Sequence, residues 1–398
     1  MNEPKVAVVI LNWNGLKFLQ QFLPSVLQSN WPNLEVVVGD NGSTDGSVEF
    51  LRSRYDNQVT VIQNDENYGY TGGYNRVVNQ VKADYYILLN SDIEVTPNWI
   101  APIIQLMESD SAIAAAAPKI KAYDRKNYFE HAGAAGGYID KLGYPFCRGR
   151  LFYEVEEDRG QYEQSGEIFW ASGAALFIRS NCWFEAGGFD ERFFAHMEEI
   201  DLCWRLKNIG YKIMYCAQST VYHVGGGTLN TENPFKTYLN FRNNLWLIKK
   251  NMPAMRASVV IGTRMWLDLI ALLRFLGEGK RKDAWAVSKA HQSFVRSLFR
   301  GAGSEVFRAK SDVIKAKSED RRTESEVIRS KNEERGSVRD VSQINGSTSH
   351  LETSHSAPHT LNTSKTPNLK GLYKRSIVTQ FFVKKKIHFT DLDSKDFH

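Results

Sequence analysis

Short apolar runs alternating with helical patterns limit what the N-terminal half of this chain can become. Val6–Leu11 is an almost unbroken apolar run, as a strand buried on both faces of a parallel sheet requires. Phe18–Leu27 then has helical spacing, Leu34–Val38 reads as a second strand and Val48–Arg54 as a second helix. Val59–Gln63, Tyr74–Val81 and Tyr85–Leu89 continue the alternation as strand, helix and strand. Parallel strands need crossover connections, so this order predicts the opening of a doubly wound α/β sheet. The 398 residues are 42% hydrophobic and 12% aromatic, enough apolar material for one large core or two ordinary ones.

Composition divides the chain further. Residues 1–250 carry the α/β pattern. Residues 251–302 are mostly helical and rich in Trp, Leu, Phe, Arg and Lys. Residues 303–368 are dominated by Ser, Thr, Lys, Arg, Glu and Asn, which cannot bury enough apolar surface to offset chain entropy, so disorder is expected there. Residues 369–398 form a short C-terminal segment whose apolar character returns over Tyr373–Phe389. A net charge of +5 from 50 basic and 45 acidic side chains gives no reason to expect a nucleic-acid partner. Cys147, Cys182, Cys203 and Cys216 are widely spaced without a CxxC pair, as reduced cytoplasmic thiols would be. Met1-Asn2-Glu3-Pro4 leads straight into the first strand, so neither a signal peptide nor a membrane span is expected.

Ligands of open α/β sheets sit beyond the carboxyl ends of the strands. The first strand ends at Asn12-Trp13-Asn14-Gly15, and the second at Asp40-Asn41-Gly42-Ser43-Thr44-Asp45. A carboxylate at that second tip could accept from a base N–H or a ribose hydroxyl, or the segment could be a plain turn and helix cap. Asn67–Asn75, containing Gly72 and Gly73, leads from the third strand into a helix, where close backbone approach to a ligand or a tight loop would each explain the glycines. The fourth strand ends at Asn90-Ser91-Asp92, a site for metal coordination by oxygen or a helix cap before Pro97. Glu198-Glu199-Ile200-Asp201 crowds three carboxylates into four residues beside the aromatic pair Phe193-Phe194. Such acids usually mark a solvated helix face, but carboxylates near buried aromatics need a reason. Ser219–Tyr222 reads as a strand ending at His223, before the run Gly225-Gly226-Gly227-Thr228.

In this order the segments resemble the family 2 glycosyltransferases of the GT-A fold, most closely the bacterial rhamnosyltransferase-like branch. The resemblance runs from Val6 to about Thr228 and includes Ser172-Gly173-Ala174-Ala175 and Gly188–Arg205. It implies a mixed sheet flanked by helices. It also implies that Asp40 binds the nucleobase or ribose, that Asn12 lines the same pocket, and that the Asn67–Asn75 loop lies along the donor. Asn90-Ser91-Asp92 stands where the family has an Asp-x-Asp metal motif, with Asp92 and His223 as the protein ligands of Mg²⁺ or Mn²⁺. Ser172, Gly173 and Ala174 would shape the acceptor and sugar pocket, and Glu199 would be the general base with Glu198 beside it. Asn90 for the first metal-motif acid, and Glu199 for Asp, depart from the family pattern, and related rhamnosyltransferase-like sequences tolerate both.

The implied reaction is a single in-line displacement with inversion, from a nucleotide-sugar donor to a hydroxyl of a glycan or lipid-linked acceptor in cell-surface polysaccharide synthesis. The branch points to a deoxythymidine diphosphate sugar such as rhamnose. A dehydrogenase is disfavoured because the first turn lacks GxGxxG, and a nucleotidyltransferase because Leu11–Leu16 has no basic residue. A non-catalytic nucleotide-binding or membrane-surface scaffold of the same fold is the alternative class.

Two helices carry further expectations. On a helix from Glu198, residues 199 and 201 lie about 200° apart, so they cannot both face one acceptor. Asp201 is spaced i, i+4 from Arg205, as an ion pair would be. Over residues 254–276, Arg256, Arg264, Asp268 and Arg274 fall within an arc of about 120°, leaving an apolar remainder. Lys249-Lys250 and Lys280-Arg281-Lys282 flank it, so a helix lying on anionic lipid at the inner face of the cytoplasmic membrane competes with one packed on protein.

Overall fold

The structure is a computed structural model that describes residues 3–131, 133–225, 233–299 and 366–398. Its centre is a mixed nine-stranded sheet. Strands β1 (Val6–Asn12), β2 (Leu34–Asp40), β3 (Thr60–Gln63) and β4 (Tyr85–Asn90) form a parallel half in the order β3-β2-β1-β4. Helices α1 (Leu16–Leu27), α2 (Ser47–Tyr55) and α3 (Gly69–Val78) make the crossovers. β1 alternates between two cores: Ala7 and Val9 join the one on the α3 side, while Val6, Val8 and Ile10 join the one built with α1 and with α4 (Ile100–Glu108). That double burial is why the strand reads as an unbroken apolar run.

Beyond β4 the sheet changes direction. Besides β5 (Ile93–Val95), β6 (Ile113–Ala122), β11 (Gly166–Ile168), β12 (Ala175–Arg179) and β13 (Lys212–His223) complete it. β12 is antiparallel to both β4 and β6, β13 runs parallel to β6, and β5 pairs with the end of β13. Hydrogen-bonded register places Asn12 opposite Asp40, Asp40 opposite Gln63 and Leu11 opposite Asn90, so these polar tips share one edge.

Helix α3 starts at Gly69, five residues before the predicted Tyr74, and ends at Val78. Its glycines lower helix propensity, yet packing demands them. A Cβ on Gly73 would lie 2.8 Å from Leu11 Cδ2 and 3.0 Å from Asn41 Nδ2, and one on Gly72 would meet Arg76 and Tyr68 at 3.0 Å.

A second, five-stranded sheet joins β7 (Gly137–Asp140), β8 (Pro145–Cys147), β9 (Arg150–Leu151) and β10 (Glu154–Val155) to β14 (Leu372–Tyr373). β14 pairs in parallel with β7, and Ile377 N donates to buried Asp140 Oδ2 at 2.8 Å. Tyr373, Ile377, Phe381 and Leu392 are buried on this sheet, so the apolar return of the C-terminal segment is a docking surface. The segment expected to be disordered falls outside the described residues up to 365. Asn368 is anchored, its N–H donating to Lys207 O at 2.7 Å and its amide to Tyr211 O at 3.1 Å.

Helices α5 (Ser180–Ala186) and α6 (Glu198–Asn208) follow β12, and α7 (Pro234–Asn251), α8 (Ala254–Gly277) and α9 (Arg281–Ser297) follow β13. α8 covers the predicted 254–276, and among the described residues no helix is long and apolar enough to cross a membrane. All four cysteines are free and buried.

Candidate active site

The first part of the site is the row of strand tips. Asn12 and Asp40 are both buried, and Asn12 Nδ2 donates to Asp40 Oδ2 and to Ser43 Oγ, each at 3.2 Å. Ser43 N donates to Asp40 Oδ1 at 2.9 Å, and Ser43 Oγ accepts from Asn14 N at 2.9 Å. The β2 turn thus locks Asp40 onto β1. Asn41 performs the same service for the next loop, donating to Asn67 Oδ1 and Gly69 O at 3.0 Å and accepting from Tyr68 N at 3.2 Å. Asn67 in turn accepts from Gly69 N at 2.9 Å.

The end of β13 returns to the same edge through β5 and meets the β4 tip. His223 Nε2 lies 3.1 Å from Asp92 Oδ1 and 3.5 Å from Asn90 Nδ2, and Glu130 Oε2 lies 3.3 Å from Nδ1 on the other side of the ring. Burial works against a charged imidazole here. The carboxylates of Asp92 and Glu130 overcome it and hold the His223 pKa up at about 10. Residues 226–228 of the following glycine run lie outside the described residues.

The third part approaches from β12 and α6. Asn90 N donates to Ala174 O at 3.0 Å, and Ala174 N to Ser172 Oγ at 3.2 Å. Gly173 O accepts from Tyr70 Oη at 2.7 Å, and Gly173 faces Glu199, whose Cβ would lie 3.6 Å from an added Cβ. Glu198 is buried and Glu199 partly so, each with its Oε2 lacking a hydrogen-bond partner among the described residues. Burial raises the Glu199 pKa to about 7, against backbone hydrogen bonds at Glu199, Ile200 and Gly173. Burial and then the neighbouring Glu199 push Glu198 well above the carboxylate range. Tyr74, whose Oη donates to Leu89 O at 3.0 Å, lies within the electrostatic reach of both Glu198 and Asp92 and so sits between the two acidic regions.

The segment before α6 is strained. Phe194, His196 and Met197 have φ of 65°, 68° and 74°, a left-handed conformation that costs side-chain-bearing residues energy. Helix α7 holds it: Asn243 Nδ2 lies 2.9 Å from Phe193 O and 2.8 Å from the carbonyls of Ala195 and His196. Arg242 adds contacts of 3.2 Å to Arg192 O and Phe193 O.

Asp201 differs from its neighbours. It is fully buried, and its carboxylate accepts from Arg205 Nε at 2.8 Å, Lys250 Nζ at 2.9 Å and Asn251 Nδ2 at 2.9 Å. The i, i+4 ion pair anticipated from spacing is present, and α7 supplies the other partners.

A hard divalent cation suits oxygen donors, and a neutral imidazole can join them. Asp92 Oδ1 and His223 Nε2 converge at hydrogen-bond distance, so a cation could take the place of the proton they share. No group of three or more His, Cys, Asp or Glu side chains arranged for a metal occurs among the described residues. Sequence reasoning missed Glu130, Asn243 and the tie from Tyr70 to Gly173. Glu130 is an isolated acid with no motif around it, and the other two signals exist only once the chain is folded.

The site thus comprises a polar strand-tip edge, the Asp92–His223 pair and Glu199, a carboxyl whose pKa burial raises. Residues 7–180 match the model of glycosyl transferase family 2. Over 231 residues the chain is 27% identical to the N-acetylglucosaminyl-diphospho-decaprenol L-rhamnosyltransferase of Mycobacterium tuberculosis (strain ATCC 25618 / H37Rv), covering 54% of this chain and 75% of that protein. It is 25% identical over 228 residues to the O-antigen biosynthesis protein RfbC of Myxococcus xanthus, covering 55% of this chain but only 17% of that protein. Among solved structures, the mannosyltransferase PcManGT from Pyrobaculum calidifontis in complex with GDP-Man and Mn²⁺ aligns with a TM-score of 0.46 and 12% identity, covering 81% of this chain and 83% of that one.

Proposed function

We propose that this protein is an inverting, metal-dependent glycosyltransferase of the GT-A type, moving a sugar from a nucleotide diphosphate to a hydroxyl of a glycan or lipid-linked acceptor. The work belongs to cell-surface polysaccharide synthesis at the inner face of the cytoplasmic membrane. One observation carries this reading: the Asp92–His223 pair at the strand tips, with the partly buried Glu199 set apart from it beside Gly173.

In this reading residues 1–250 are the catalytic domain, 251–302 a helical segment, 303–368 a linker and 369–398 a short C-terminal segment docked on β7. Asp40 and Asn12 receive the base and ribose, and Asn67, Gly72, Gly73 and Asn90 line the rest of the donor path. The sugar nucleotide is that of a deoxythymidine diphosphate sugar such as rhamnose, although a missing methyl alters a pocket's affinity by only about 1–3 kcal/mol. Asp92 and His223 would hold Mg²⁺ or Mn²⁺, which supplies Lewis-acid neutralisation of the diphosphate leaving group. Ser172, Gly173 and Ala174 shape the acceptor pocket. Glu199 takes the proton from the acceptor hydroxyl, and its pKa of about 7 suits a general base near neutral pH. Glu198 orients the acceptor, and Asp201 braces the helix that carries them.

The test is transfer from a radiolabelled deoxythymidine diphosphate sugar, with nucleotide binding followed by thermal shift in Mn²⁺. Glu199→Gln should abolish transfer and keep the nucleotide-dependent shift. Transfer that survives in Glu199→Gln would end this assignment, and nucleotide binding without any transfer by the native chain would favour a scaffold.

A further inference from the structure

Helix α8 is turned inside out. Arg264 and Asp268, in the middle of the helix, are only 4% and 2% exposed, whereas Met255 is 84%, Trp266 69% and Ile270 59% exposed. A surface helix of a globular protein normally buries its apolar stripe and solvates its charges. Here the inward stripe is Ala257, Val260, Arg264 and Asp268, so two mid-helix charges point into the protein while the large apolar side chains point out. Arg264 stacks over the Tyr144 ring at 3.4 Å, donates to Leu142 O at 3.2 Å and reaches Asn244 on α7. Asp268 meets His291 of α9 at 3.0 Å and Arg264 at 3.9 Å. Desolvating an arginine and an aspartate is costly, and these two reach Leu142, Tyr144, Asn244 and His291 only with α8 rotated so that its apolar face points away from the protein.

The outward face is also prepared for an apolar medium. Ser258 and Thr263, two exposed hydroxyls of the helix, each donate to the backbone carbonyl four residues earlier, at 3.0 Å, and so need no water for that proton. Trp285 on α9 is exposed as well. Arg256, Arg274, Lys280, Arg281 and Lys282 are exposed around this surface, and Glu278, the acid among them, is paired with Arg274 and Lys280. A second copy of the chain packed symmetrically would bring this basic rim against itself. An anionic bilayer surface complements both the apolar face and the rim, and tryptophan favours that boundary.

We infer that the exposed face of α8, with Trp285 of α9, lies in the headgroup–acyl boundary of an anionic membrane, held in that orientation by the buried Arg264–Asp268–His291 seam. This deepens the proposed action at the membrane and rests on it only for the choice of membrane, because the face stands whatever the catalytic site transfers.

The test is flotation of the full chain with vesicles of phosphatidylcholine alone or with added phosphatidylglycerol. The native chain should float with the phosphatidylglycerol vesicles at low salt and largely detach at high salt. The triple variant Trp266→Ser, Ile270→Ser, Leu273→Ser should bind at least about tenfold more weakly, as loss of buried apolar area dictates. Its melting temperature, and its thermal shift with a nucleoside diphosphate and Mn²⁺, should match the native chain. Failure of the native chain to float would overturn the inference, as would a dimer on size exclusion that the triple variant dissociates. Flotation with no nucleotide-dependent shift would instead overturn the catalytic reading and leave the membrane face standing.

Discussion

Tyr70 donates its phenolic proton to the carbonyl of Gly173 at 2.7 Å, tying the first turn of the helix after β3 to the loop before β12. These loops come from opposite halves of the sheet, and Glu199 stands beside the junction. Tyr70→Phe leaves a buried carbonyl without its donor. The expected loss is about 1–3 kcal/mol of stability, with slower transfer and nucleotide binding largely kept. Chemical denaturation and a transfer assay check it; unchanged transfer would separate this bond from function.

Glu199 sets a pH dependence. Its folded pKa of about 7 lies above the ordinary glutamate value of 4.5. The protonated carboxyl is therefore favoured by folding, and that stability is complete below the unfolded pKa and lost as pH rises through about 7. Transfer should run the other way, rising with pH through the same range as the base becomes ionised. Glu199→Gln should be more stable than the native chain above neutral pH, by about 1–3 kcal/mol. Melting curves across pH, set beside a pH–rate profile, read both effects, and a flat stability difference would refute the shift.

Asp201→Asn removes one charge from a buried cluster that includes Arg205 and Lys250. An uncompensated buried cation costs about 3–5 kcal/mol. Denaturant unfolding should show that loss, while the folded fraction retains nucleotide binding. A variant of native stability that has lost only transfer would return Asp201 to the chemistry.

Glu130 faces the ring nitrogen of His223 opposite Asp92. Partners of this kind orient a ligating histidine, and their removal weakens metal affinity by about 10–100-fold. Glu130→Gln should raise the Mn²⁺ concentration needed for nucleotide-dependent stabilisation by that factor, and Asp92→Ala, like a chelator, should abolish transfer. Calorimetric titration of Mn²⁺ in the presence of nucleotide measures the first effect. Full activity in a chelator would contradict the second.

The parallel half of the sheet was legible because Val6–Leu11, Leu34–Val38 and Tyr85–Leu89 are apolar runs of strand length bounded by turn residues. The other half was not. β6 contains Ala114-Ala115-Ala116-Ala117, whose intrinsic preference is helical, and it is a strand because β12 and β13 enclose it on both sides. β13 was legible only at its end, since register shifts between Cys216 and Thr220 break its alternation. Asp92 and His223 could be singled out from strand tips, and the Asp201–Arg205 pair from helical spacing. Nothing local in Tyr-Phe-Glu marks Glu130, because its partner lies 93 positions away, at His223. The charges of α8 were visible as an arc, but which way the arc points is decided by Asn244, Tyr144 and His291, on other elements.

The pairing of Leu372–Tyr373 with β7 gives the last part of the chain the character of a separable key. Its backbone and aromatic side chains complete a sheet whose other four strands are contributed by residues 137–155. A chain cut back to residue 299 should leave a β7 edge and an apolar bed open to solvent. Complementation is the consequence: a synthetic peptide of residues 366–398, added in trans, should occupy that bed and restore the melting temperature. Such a peptide would be a reversible handle on the stability of the enzyme, without touching a residue of its active site.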